Sequence, residues 1–421
     1  MLDIKFIRDN PEKLKKALSD RGVSFDTDYL LDLDARRRAK IAEVDAMRAR
    51  QNDLADTITR ASADARAERI AESRALKEKL GHAEFELRVL EEEFDGLMRI
   101  IPNLPDPETP VGRDERDNIV LREVGAKPRF AFEPKDHLAI GEALDIIDFA
   151  HGAKTSGSGF YYLKNEGALL ELALVHYALD LLRKKGFTLW LTPDLARKKF
   201  YLGTGYMPAG PEAQTYEIAE SDLGLIATAE VTLAAIHADE ILDGAALPLK
   251  YAGYSHCFRQ EGGSYGKYSR GLYRVHQFTK VEMFAYVMPD DSRRMHDELL
   301  ALEEELWQGL GVPYRVLQMC TADLGAMASR KFDLEAWMPG RGDWGEITST
   351  SNTTDYQARN LNVRYKGADG GHGFAHLLNG TAIATSRGIV AVLENYQRED
   401  GSVVIPEALR PHMSGIKEIR R

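Results

Sequence analysis

The longest regular pattern of apolar residues in the chain lies between residues 80 and 101. Apolar side chains recur there at alternating steps of three and four, the spacing of a helix that buries one narrow stripe against a partner helix. The stripe comprises Leu80, Ala83, Leu87, Leu90, Phe94, Leu97 and Ile101. A weaker stripe precedes it and comprises Leu30, Leu33, Val44, Met47, Leu54 and Ile58. Because residues 29–101 include no proline and almost no glycine, the pattern predicts two long helices packed antiparallel along their stripes.

The turn between these helices is expected within TRASADARAER, residues 59–69, because this segment lacks large apolar side chains. A helix of roughly 30–35 residues extends about 50 Å at 1.5 Å per residue. Two interpretations fit such a hairpin: a coiled coil for oligomerisation, or an arm that binds another macromolecule. The stripes alone leave both open.

The proline-rich segment PNLPDPETPVG, residues 102–112, cannot continue a helix and marks a domain boundary. We predict an N-terminal helical domain at residues 1–104 and a second domain at residues 105–421. The second domain combines a predicted helix at residues 169–185 with strand-like segments, GFTLWLTP and QFTKVEMFAYV, and a further apolar helix in GIVAVLENYQ. This order has no regular βαβ alternation, so it favours an α+β fold with a largely antiparallel sheet flanked by helices.

Composition narrows the class of protein. The 421 residues, 44% of them hydrophobic, can form a large core and more than one domain. The net charge of −11 disfavours indiscriminate binding to nucleic acid and leaves any polyanion to local basic surface. With two cysteines, Cys257 and Cys320, the chain cannot hold a disulfide framework or a cysteine-built zinc site. No signal peptide or membrane span is recognisable, so we expect a soluble cytoplasmic protein without zinc, membrane or DNA partners.

Candidate chemistry lies in FRQEGGSYGKYSRGLYRVHQFTKVEMF, residues 258–284. Arg259 and Glu261 stand two positions apart, so an extended strand would place both side chains on one face. Charged and aromatic residues alternate again after the glycine-rich middle, at Arg270, Arg274, His276, Phe278, Lys280 and Glu282. The returning strand would bring Phe278 beside the first strand, where its ring and an arginine can hold a purine nucleotide. For the Arg-x-Glu spacing alone, a solvated hairpin with ordinary ion pairs is the simpler interpretation.

Other nucleotide and metal motifs are missing from the sequence. It contains neither a G-x-x-x-x-G-K-[ST] phosphate loop nor a strand-linked G-x-G-x-x-G, so a bound nucleotide would be held by side chains. The histidines lack paired metal-ligand spacing, and we expect His276 to be a structural hydrogen-bonding residue. Cys257 is expected to be a buried apolar residue.

Residues 258–284 resemble the second signature of class II aminoacyl-tRNA synthetases, in the form found in seryl-tRNA synthetases. The N-terminal MLDIKFIRDNPEKL and the helical hairpin are also similar to that family, and further similar segments follow in the family's order. These segments are HGAKTSGSGFYYL, GTGYMPAG, TAEVT, CTADLGAMASRKFDLEAWMPG, EITSTSNTTDYQARNLNVRY and LNGTAIATSRGIVAVLENYQ. The resemblance covers almost the whole chain. It implies a class II synthetase-type antiparallel sheet with flanking helices, an N-terminal coiled-coil arm at about residues 29–101 that binds tRNA, and a homodimer.

The resemblance also implies the reaction. L-serine and ATP, with Mg²⁺, would form seryl-adenylate and pyrophosphate, and serine would then pass to the 3′ end of tRNA(Ser), with tRNA(Sec) as a further candidate acceptor. Arg259 and Arg387 would be the catalytic residues that meet the phosphates. Glu261 would recognise the adenine amine, and Phe278 would stack on the adenine ring.

The resemblance assigns a role to each matched position. The ATP-binding residues would be Arg259, Gln260, Glu261, Val275, Phe278, Glu346, Ile347, Thr348, Ser349 and Arg387. The serine-binding residues would be Thr228, Ala229, Glu230, Arg259, Glu282 and Thr381. Mg²⁺ would be held by Glu346 and Ser349, whose oxygen atoms suit a hard cation. The arm would contact tRNA phosphates through Arg36, Arg37, Arg48, Arg50, Arg60, Arg66 and Arg69.

Within the serine-binding set, Thr228 and Glu230 are expected on one strand face, where they would receive the substrate ammonium group. Glu282 and Thr381 would recognise the serine hydroxyl, because a site built for a hydroxyl rejects analogues that lack it. From the residues alone, a strand carboxylate that pairs with Lys280 or Arg274 is the simpler interpretation of Glu282.

Two other functions remain open from the sequence. One is a paralogue that activates serine for another acceptor or replaces the housekeeping enzyme under an inhibitor. The other is a catalytically inactive coiled-coil RNA-binding scaffold. A long arm argues against an acceptor other than tRNA, and the retained Arg259, Glu261, Glu282, Glu346 and Arg387 argue against a scaffold.

Overall fold

The computed structural model describes residues 1–206, 215–261 and 271–421. The chain divides into two compact units, Met1–Pro102 and Asn103–Arg421. The described helices are α1 (Ile4–Asp9), α2 (Pro11–Asp20), α3 (Thr27–Arg60), α4 (Ala63–Ile100), α5 (His137–Ala143), α6 (Phe149–Ser156), α7 (Asn165–Lys184), α8 (Lys198–Thr204), α9 (Glu230–Ala235), α10 (Ser292–Leu310), α11 (Tyr356–Leu361) and α12 (Thr385–Asn395). Among these described helices, none has the length and apolar character needed to cross a lipid bilayer.

The described strands belong to one large sheet and several small ones. They are β1 (Ile119–Val124), β2 (Ile147–Asp148), β3 (Tyr162–Leu163), β4 (Thr188–Leu191), β5 (Leu195–Arg197), β6 (Tyr216–Glu217), β7 (Leu223–Leu225), β8 (Ile241–Asp243), β9 (Leu249–Phe258), β10 (Gln277–Val287), β11 (Tyr314–Gln318), β12 (Arg330–Met338), β13 (Asp343–Asn352), β14 (Arg364–Lys366), β15 (His372–Phe374), β16 (His376–Ala384), β17 (Val403–Val404) and β18 (Glu418–Ile419).

In the first unit, α3 and α4 pack antiparallel along the predicted stripes. Val44 of α3 packs in one cluster with Leu80 and Ala83 of α4, and all three are buried. Ion pairs join the two helices beside this cluster, with Arg48 Nη2 lying 2.8 Å from Glu84 Oε1. The predicted helical hairpin is therefore present.

The turn between the two helices lies within residues 59–69, as predicted, and it is short. Helix α3 ends at Arg60 and α4 begins at Ala63, so most of residues 59–69 is helical. The segment is rich in alanine and arginine, which favour helix without any need for buried side chains. An apolar stripe marks the residues through which two helices pack together. The residues near the turn carry no such stripe, so the stripes could not show that these residues are helical.

In the second unit, eight strands form one sheet in the order β1-β11-β12-β13-β16-β10-β9-β4. The neighbouring strands pair antiparallel except β4 and β9, which pair parallel. The helix predicted at residues 169–185 is α7, and the segments QFTKVEMFAYV and GIVAVLENYQ form β10 and most of α12. The predicted α+β fold with a largely antiparallel sheet is confirmed.

Strand β10 separates the core from the pocket. Val281 and Met283 belong to the main core together with residues of α7, α10 and α12. Phe284 belongs to a second core on the other side of the sheet. Because side chains alternate along a strand, Lys280 and Glu282 face the same side as Phe284. They lie on the sheet face opposite the three helices, and this face carries the candidate site.

Candidate active site

A cavity of about 290 Å³ lies on this sheet face, bounded by β10, β13, β16 and the start of α12. Most of the predicted ATP-binding and serine-binding residues line it. They are Glu230, Arg259, Glu261, Val275, Phe278, Glu282, Glu346, Ile347, Thr348, Ser349, Thr381 and Arg387. Residues from widely separated parts of the sequence thus meet in one cavity.

Three predicted residues lie beside this cavity. Thr228 and Ala229 are fully buried, and the Gln260 side-chain amide donates to the Thr215 carbonyl at 3.0 Å. Arg270 and the second half of the segment GTGYMPAG lie outside the described residues.

Arg259 lies just beyond the end of a strand, so the prediction that Arg259 and Glu261 share one extended strand is wrong. Strand β9 ends at Phe258, and Glu261 has φ of 49°, in the left-handed region. Two hydrogen bonds hold the backbone here: Arg259 N donates to the His276 carbonyl, and His276 Nδ1 donates to the Arg259 carbonyl, each at 2.9 Å. His276 is therefore a structural hydrogen-bonding residue, as predicted. Glycines follow Glu261 in the sequence, a composition that favours turns over a continued strand.

The guanidinium of Arg259 lies against the aromatic ring of Phe278. Its Cζ atom is 5.2 Å from the ring centroid, and Nε donates to the Ala227 carbonyl at 3.4 Å. Phe278 pairs with Cys257 across β9 and β10, as the sequence predicted, and Cys257 is buried. An arginine and an aromatic face thus stand side by side in the cavity, an arrangement that suits a purine nucleotide.

Glu261 reaches the cavity although it is off the strand. Its carboxylate forms an ion pair with Arg274, and both side chains line the cavity. Val275, the next residue, is buried at the cavity wall. An ion pair of the ordinary kind is thus present here, between two residues outside the strands, and it lies at the edge of the same site.

Glu346 and Ser349 reach the same cavity through a β-bulge. They stand three positions apart on β13, so a regular strand would point them to opposite faces. Consecutive residues of β12 pair with Glu346 and Thr348, which leaves Ile347 as an extra residue in β13. The extra residue returns Ser349 to the face of Glu346, and both line the cavity.

Arg387, near the start of α12, forms an ion pair with Glu346. Arg387 Nη1 lies 2.8 Å from Glu346 Oε1, and the Arg387 guanidinium lies 4.9 Å from the Tyr273 ring centroid. Burial raises the pKa of Glu346, but the charges of Arg387, Lys331 and Arg259 and the hydrogen bond from Arg387 together outweigh burial and lower this pKa to about 2. The Glu346 side chain is 43% exposed, so a carboxylate that is ionised at neutral pH is open to the cavity.

The donor set of Glu346 and Ser349 fits Mg²⁺. A carboxylate and a hydroxyl supply hard oxygen atoms, and Mg²⁺ in phosphate-transfer sites is usually held by one or two carboxylates and by substrate phosphates. Thr348 does not add its side chain, because its hydroxyl donates to Glu303 of α10 at 2.9 Å. Thr348 and Ile347 border the cavity as part of the bulged strand.

Thr228, Ala229 and Glu230 lie at a helix start, so the prediction that they share a strand face is wrong. Helix α9 begins at Glu230, and Ala229 already has a helical backbone. The Thr228 hydroxyl accepts from the Glu230 N–H at 3.2 Å, a bond that threonine commonly makes at helix N-termini. Two polar residues separated by one residue fit a strand face and a helix start equally well, which is why the spacing misled the prediction.

Glu230 enters the cavity held by three donors that the sequence prediction missed. Its Oε1 accepts from Gln357 Nε2 at 2.7 Å and from Asn379 Nδ2 at 3.0 Å, and its Oε2 accepts from Tyr206 Oη at 3.0 Å. Asn379 lies two positions before Thr381 on β16, so strand alternation could have identified it. Gln357 lies on α11, distant in sequence, and nothing in the sequence marks it.

Burial raises the pKa of Glu230 to about 7, and the neighbouring charge of Glu282 adds to this effect. Hydrogen bonds from Gln357 and Tyr206 and the charge of Lys280 act in the opposite direction and are weaker. Glu230 therefore changes its protonation state close to neutral pH, and a bound cation would favour its ionised form.

Glu282 and Thr381 face each other across β10 and β16. Thr381 Oγ1 donates to Glu282 Oε2 at 3.4 Å, and Lys280 Nζ lies 2.5 Å from the same oxygen. All three side chains line the cavity. A carboxylate and a hydroxyl thus form one small polar corner beside Glu230.

In the first unit, most of the predicted tRNA-binding arginines already have partners. Arg36, Arg37, Arg48 and Arg50 form ion pairs with acidic residues of the same two helices. The pairs of Arg36, Arg48 and Arg50 are exposed and contribute little to stability, so these arginines can exchange partners at small cost, whereas Arg37 pairs with the fully buried Asp34. The sequence prediction did not include Arg74, Lys77 and Lys79, which are exposed cations on the same helix as Arg66 and Arg69.

Two family models match the chain, one for each end. Residues 215–396 match the tRNA synthetase class II core domain (G, H, P, S and T), the part that carries most of the cavity. Residues 1–105 match the seryl-tRNA synthetase N-terminal domain. An antiparallel sheet with this cavity is thus the core of a class II synthetase.

Relatives extend this likeness over the whole length. A serine–tRNA ligase of Rubrobacter xylanophilus is 55% identical over 414 residues, 98% of each chain. One of Dictyoglomus turgidum is 51% identical over 100% of this chain and 99% of its own. Seryl-tRNA synthetase from Pyrococcus horikoshii, solved with ATP, superposes with a TM-score of 0.89 at 43% identity, covering 100% of this chain and 99% of that one. The chain belongs to the seryl-tRNA synthetase family.

A eukaryotic structure agrees with these comparisons. The cytoplasmic serine–tRNA ligase of Naegleria fowleri, solved with AMP, superposes with a TM-score of 0.85 at 33% identity, over 100% of this chain and 99% of that one. The resemblance inferred from the sequence motifs is therefore confirmed at the level of the family.

Proposed function

We propose that this chain is a serine–tRNA ligase, which activates L-serine with ATP to seryl-adenylate and transfers serine to the 3′ end of tRNA(Ser). The observation that carries the proposal is one cavity in which the Arg259–Phe278 pair lies with the Glu282–Thr381 pair. The first pair suits a nucleotide and the second suits a small hydroxyl-bearing side chain.

On the ATP side, Phe278 stacks on the adenine ring and Glu261 accepts from its amine. Arg259 faces the α-phosphate, and Arg387 faces the γ-phosphate. Adenylate formation builds negative charge on the α-phosphate in the transition state, and preorganised guanidinium groups stabilise such charge. Mg²⁺ held by Glu346 and Ser349 would neutralise part of the phosphate charge.

On the serine side, Glu230 receives the ammonium group, and Glu282 and Thr381 recognise the hydroxyl. Arg259 also faces the substrate carboxylate, which brings the nucleophilic oxygen next to the α-phosphate. Positioning of this kind lowers the barrier because the reacting groups no longer need to find each other in solution. The buried Thr228 and Ala229 support Glu230 from the start of α9.

The division of labour follows the two domains predicted from the sequence. Residues 105–421 form and hold the adenylate, while residues 1–104 recognise tRNA(Ser), and tRNA(Sec) as a further candidate, through the arm. We place the protein in the cytoplasm, where its two buried free cysteines remain reduced.

A homodimer is part of the proposal. Edge strand β4 of the large sheet is apolar and exposed, with Leu191 at 80% exposure, and Leu172 of the neighbouring α7 is 52% exposed. An exposed apolar sheet edge is a surface that proteins normally cover. A second copy of the chain would cover it in the proposed dimer.

Amino-acid-dependent exchange of pyrophosphate into ATP tests the proposed function. We expect exchange with L-serine and at least about 100-fold less with L-alanine or L-threonine, because alanine leaves Glu282 and Thr381 without a partner and threonine lacks space. Exchange with threonine or alanine that equals exchange with serine would overturn the assignment. A catalytically inactive scaffold would give no exchange with any amino acid.

The serine dependence of exchange is expected to vary with pH through Glu230. Below a pKa of about 7 this carboxyl is protonated in the free enzyme and cannot pair with the ammonium group. The kcat/KM for serine should therefore fall as pH drops below about 7, approaching tenfold per pH unit, since kcat/KM reports groups of the free enzyme.

The variant Glu230→Gln provides the control for this pH dependence. Its kcat/KM for serine should be low at every pH and should not show the fall below about pH 7. Any pH dependence that comes from the ionisation of ATP should persist in this variant. A wild-type profile for serine that is flat from pH 6 to pH 8 would contradict the role of Glu230.

A further inference from the structure

The cavity contains a buried lysine that the proposed mechanism has not used. Lys280 lies on β10 two positions before Glu282, and its side chain is 7% exposed. Its Nζ atom lies 2.5 Å from Glu282 Oε2, and the Glu282 side chain is 2% exposed. Isolated buried ammonium groups are costly, so a lysine is normally found at such a depth only where it pairs with an anion.

We propose that Lys280 is a positioning residue that sets the recognition of the serine hydroxyl through Glu282, an inference that rests on the proposed function. Glu282 Oε2 forms an ion pair with Lys280 Nζ and accepts a hydrogen bond from the Thr381 hydroxyl. Glu282 Oε1 is thereby directed to the substrate. Because an ionised carboxylate only accepts hydrogen bonds, the substrate side chain must donate one.

The charge balance of the cavity supports this role. Two buried carboxylates, Glu230 and Glu282, share the serine side, and the charge of Glu282 raises the pKa of Glu230 while the charge of Lys280 lowers it. Two adjacent buried carboxylates without a cation cannot both remain ionised. Lys280 places a positive charge against Glu282 at the hydroxyl corner, and Glu230 stays available for the ammonium group.

The strand geometry explains why this lysine can act on Glu282. Residues two apart on a strand share a face, and Lys280 and Glu282 both point into the cavity from β10. Lys280 pairs with Ser255 on one side and Ala384 on the other, and both neighbours are small. Small neighbours leave room for the lysine chain to fold toward Glu282.

The test measures pyrophosphate exchange by the full-length variant Lys280→Met, a substitution of similar length that removes the charge. We expect the KM for serine to rise by about 100-fold and the KM for ATP to change by less than about threefold, since the loss is confined to the hydroxyl corner. Discrimination between serine and alanine should fall, because serine loses an interaction that alanine never made.

A double-mutant cycle separates positioning from a general packing effect. In Glu282→Gln the neutral amide no longer needs a cation, so adding Lys280→Met to it should cost little further serine affinity, giving strong non-additivity. Multiplicative losses in the double variant would overturn the proposal. An unchanged KM for serine in Lys280→Met, with a lower kcat for every substrate, would overturn it as well, because partial unfolding acts in that way.

Lys250→Met is the matched control. Lys250 also belongs to the sheet, with a side chain 19% exposed and Nζ 3.1 Å from Glu298, but it does not line the cavity of the described residues. Its loss should leave the KM for serine unchanged. If the wild-type protein shows no serine-dependent exchange, the proposed function fails; if it does and Lys280→Met keeps the wild-type KM for serine, only the inference about Lys280 fails.

Discussion

Replacing Arg259 with alanine is expected to lower serine-dependent pyrophosphate exchange by about 100-fold to 1000-fold, the usual loss for one preorganised donor at a developing charge. In the proposed mechanism its guanidinium faces the α-phosphate and the serine carboxylate, where charge builds in the in-line displacement. Its contact with the Phe278 ring, together with a weak hydrogen bond to the Ala227 carbonyl, orients the guanidinium toward the cavity. No other residue of the cavity that the structure describes combines these contacts.

The fold is expected to survive this change, because Arg259 lies past the end of β9 and its side chain makes one weak hydrogen bond within the described residues, to the Ala227 carbonyl. Thermal unfolding of Arg259→Ala should stay close to that of the wild type. Arg293→Ala is the matched control: its guanidinium pairs with Asp106 and Glu108 at an exposed position, so exchange should not change. Near-normal exchange in Arg259→Ala would show that the arginine has another purpose.

The sequence predicted which residues gather in the cavity better than it predicted how they get there. Motif order identified Arg259 and Glu261 correctly as cavity residues, although the expected strand ends before them. Motif matches follow residue identity and are insensitive to backbone conformation. Strand alternation, by contrast, predicts side-chain directions only where the strand continues. Here the strand ends before the glycine-rich segment, so the alternation no longer applies.

The same limit explains Glu346 and Ser349. Period-two reasoning would have placed them on opposite faces, and a bulge at Ile347 brings them together. A bulge depends on the pairing of two strands, and it leaves no mark in the sequence of either strand alone. Contacts such as Gln357 to Glu230 escape sequence reasoning for a related reason, since they join elements distant in the chain.

Shortening the arm is expected to abolish tRNA charging while leaving serine-dependent exchange within about threefold of the wild type. Adenylate formation requires serine, ATP and the cavity of the second unit, whereas charging also requires tRNA to be held in register. Removing residues 49–76 and joining the helices by a short glycine-containing turn preserves the cluster of Val44, Leu80 and Ala83. The remaining stub therefore keeps packed helices at the root of the arm.

Full-length charge variants test the same interpretation without a deletion. Arg60→Glu with Arg66→Glu reverses two exposed cations close to the turn between α3 and α4. We expect kcat/KM for tRNA to fall by about tenfold or more at low salt, and tRNA binding by the wild type to weaken steeply with salt, as phosphate contacts require. Arg116→Glu with Arg420→Glu makes the same charge change at exposed positions outside the arm and should have little effect.

The effect of shortening the arm also distinguishes the proposed ligase from the two alternative functions. The aromatic residues of the arm are few, so its recognition of tRNA should depend on backbone and shape, and loss of length or charge should remove charging in all serine tRNAs alike. A synthetase that serves another acceptor would show serine-dependent exchange but no charging even with the intact arm, and a scaffold would show neither. If the shortened protein charged tRNA as well as the intact one, the hairpin would be an oligomerisation element, and its loss would instead appear as a change in mass by sedimentation.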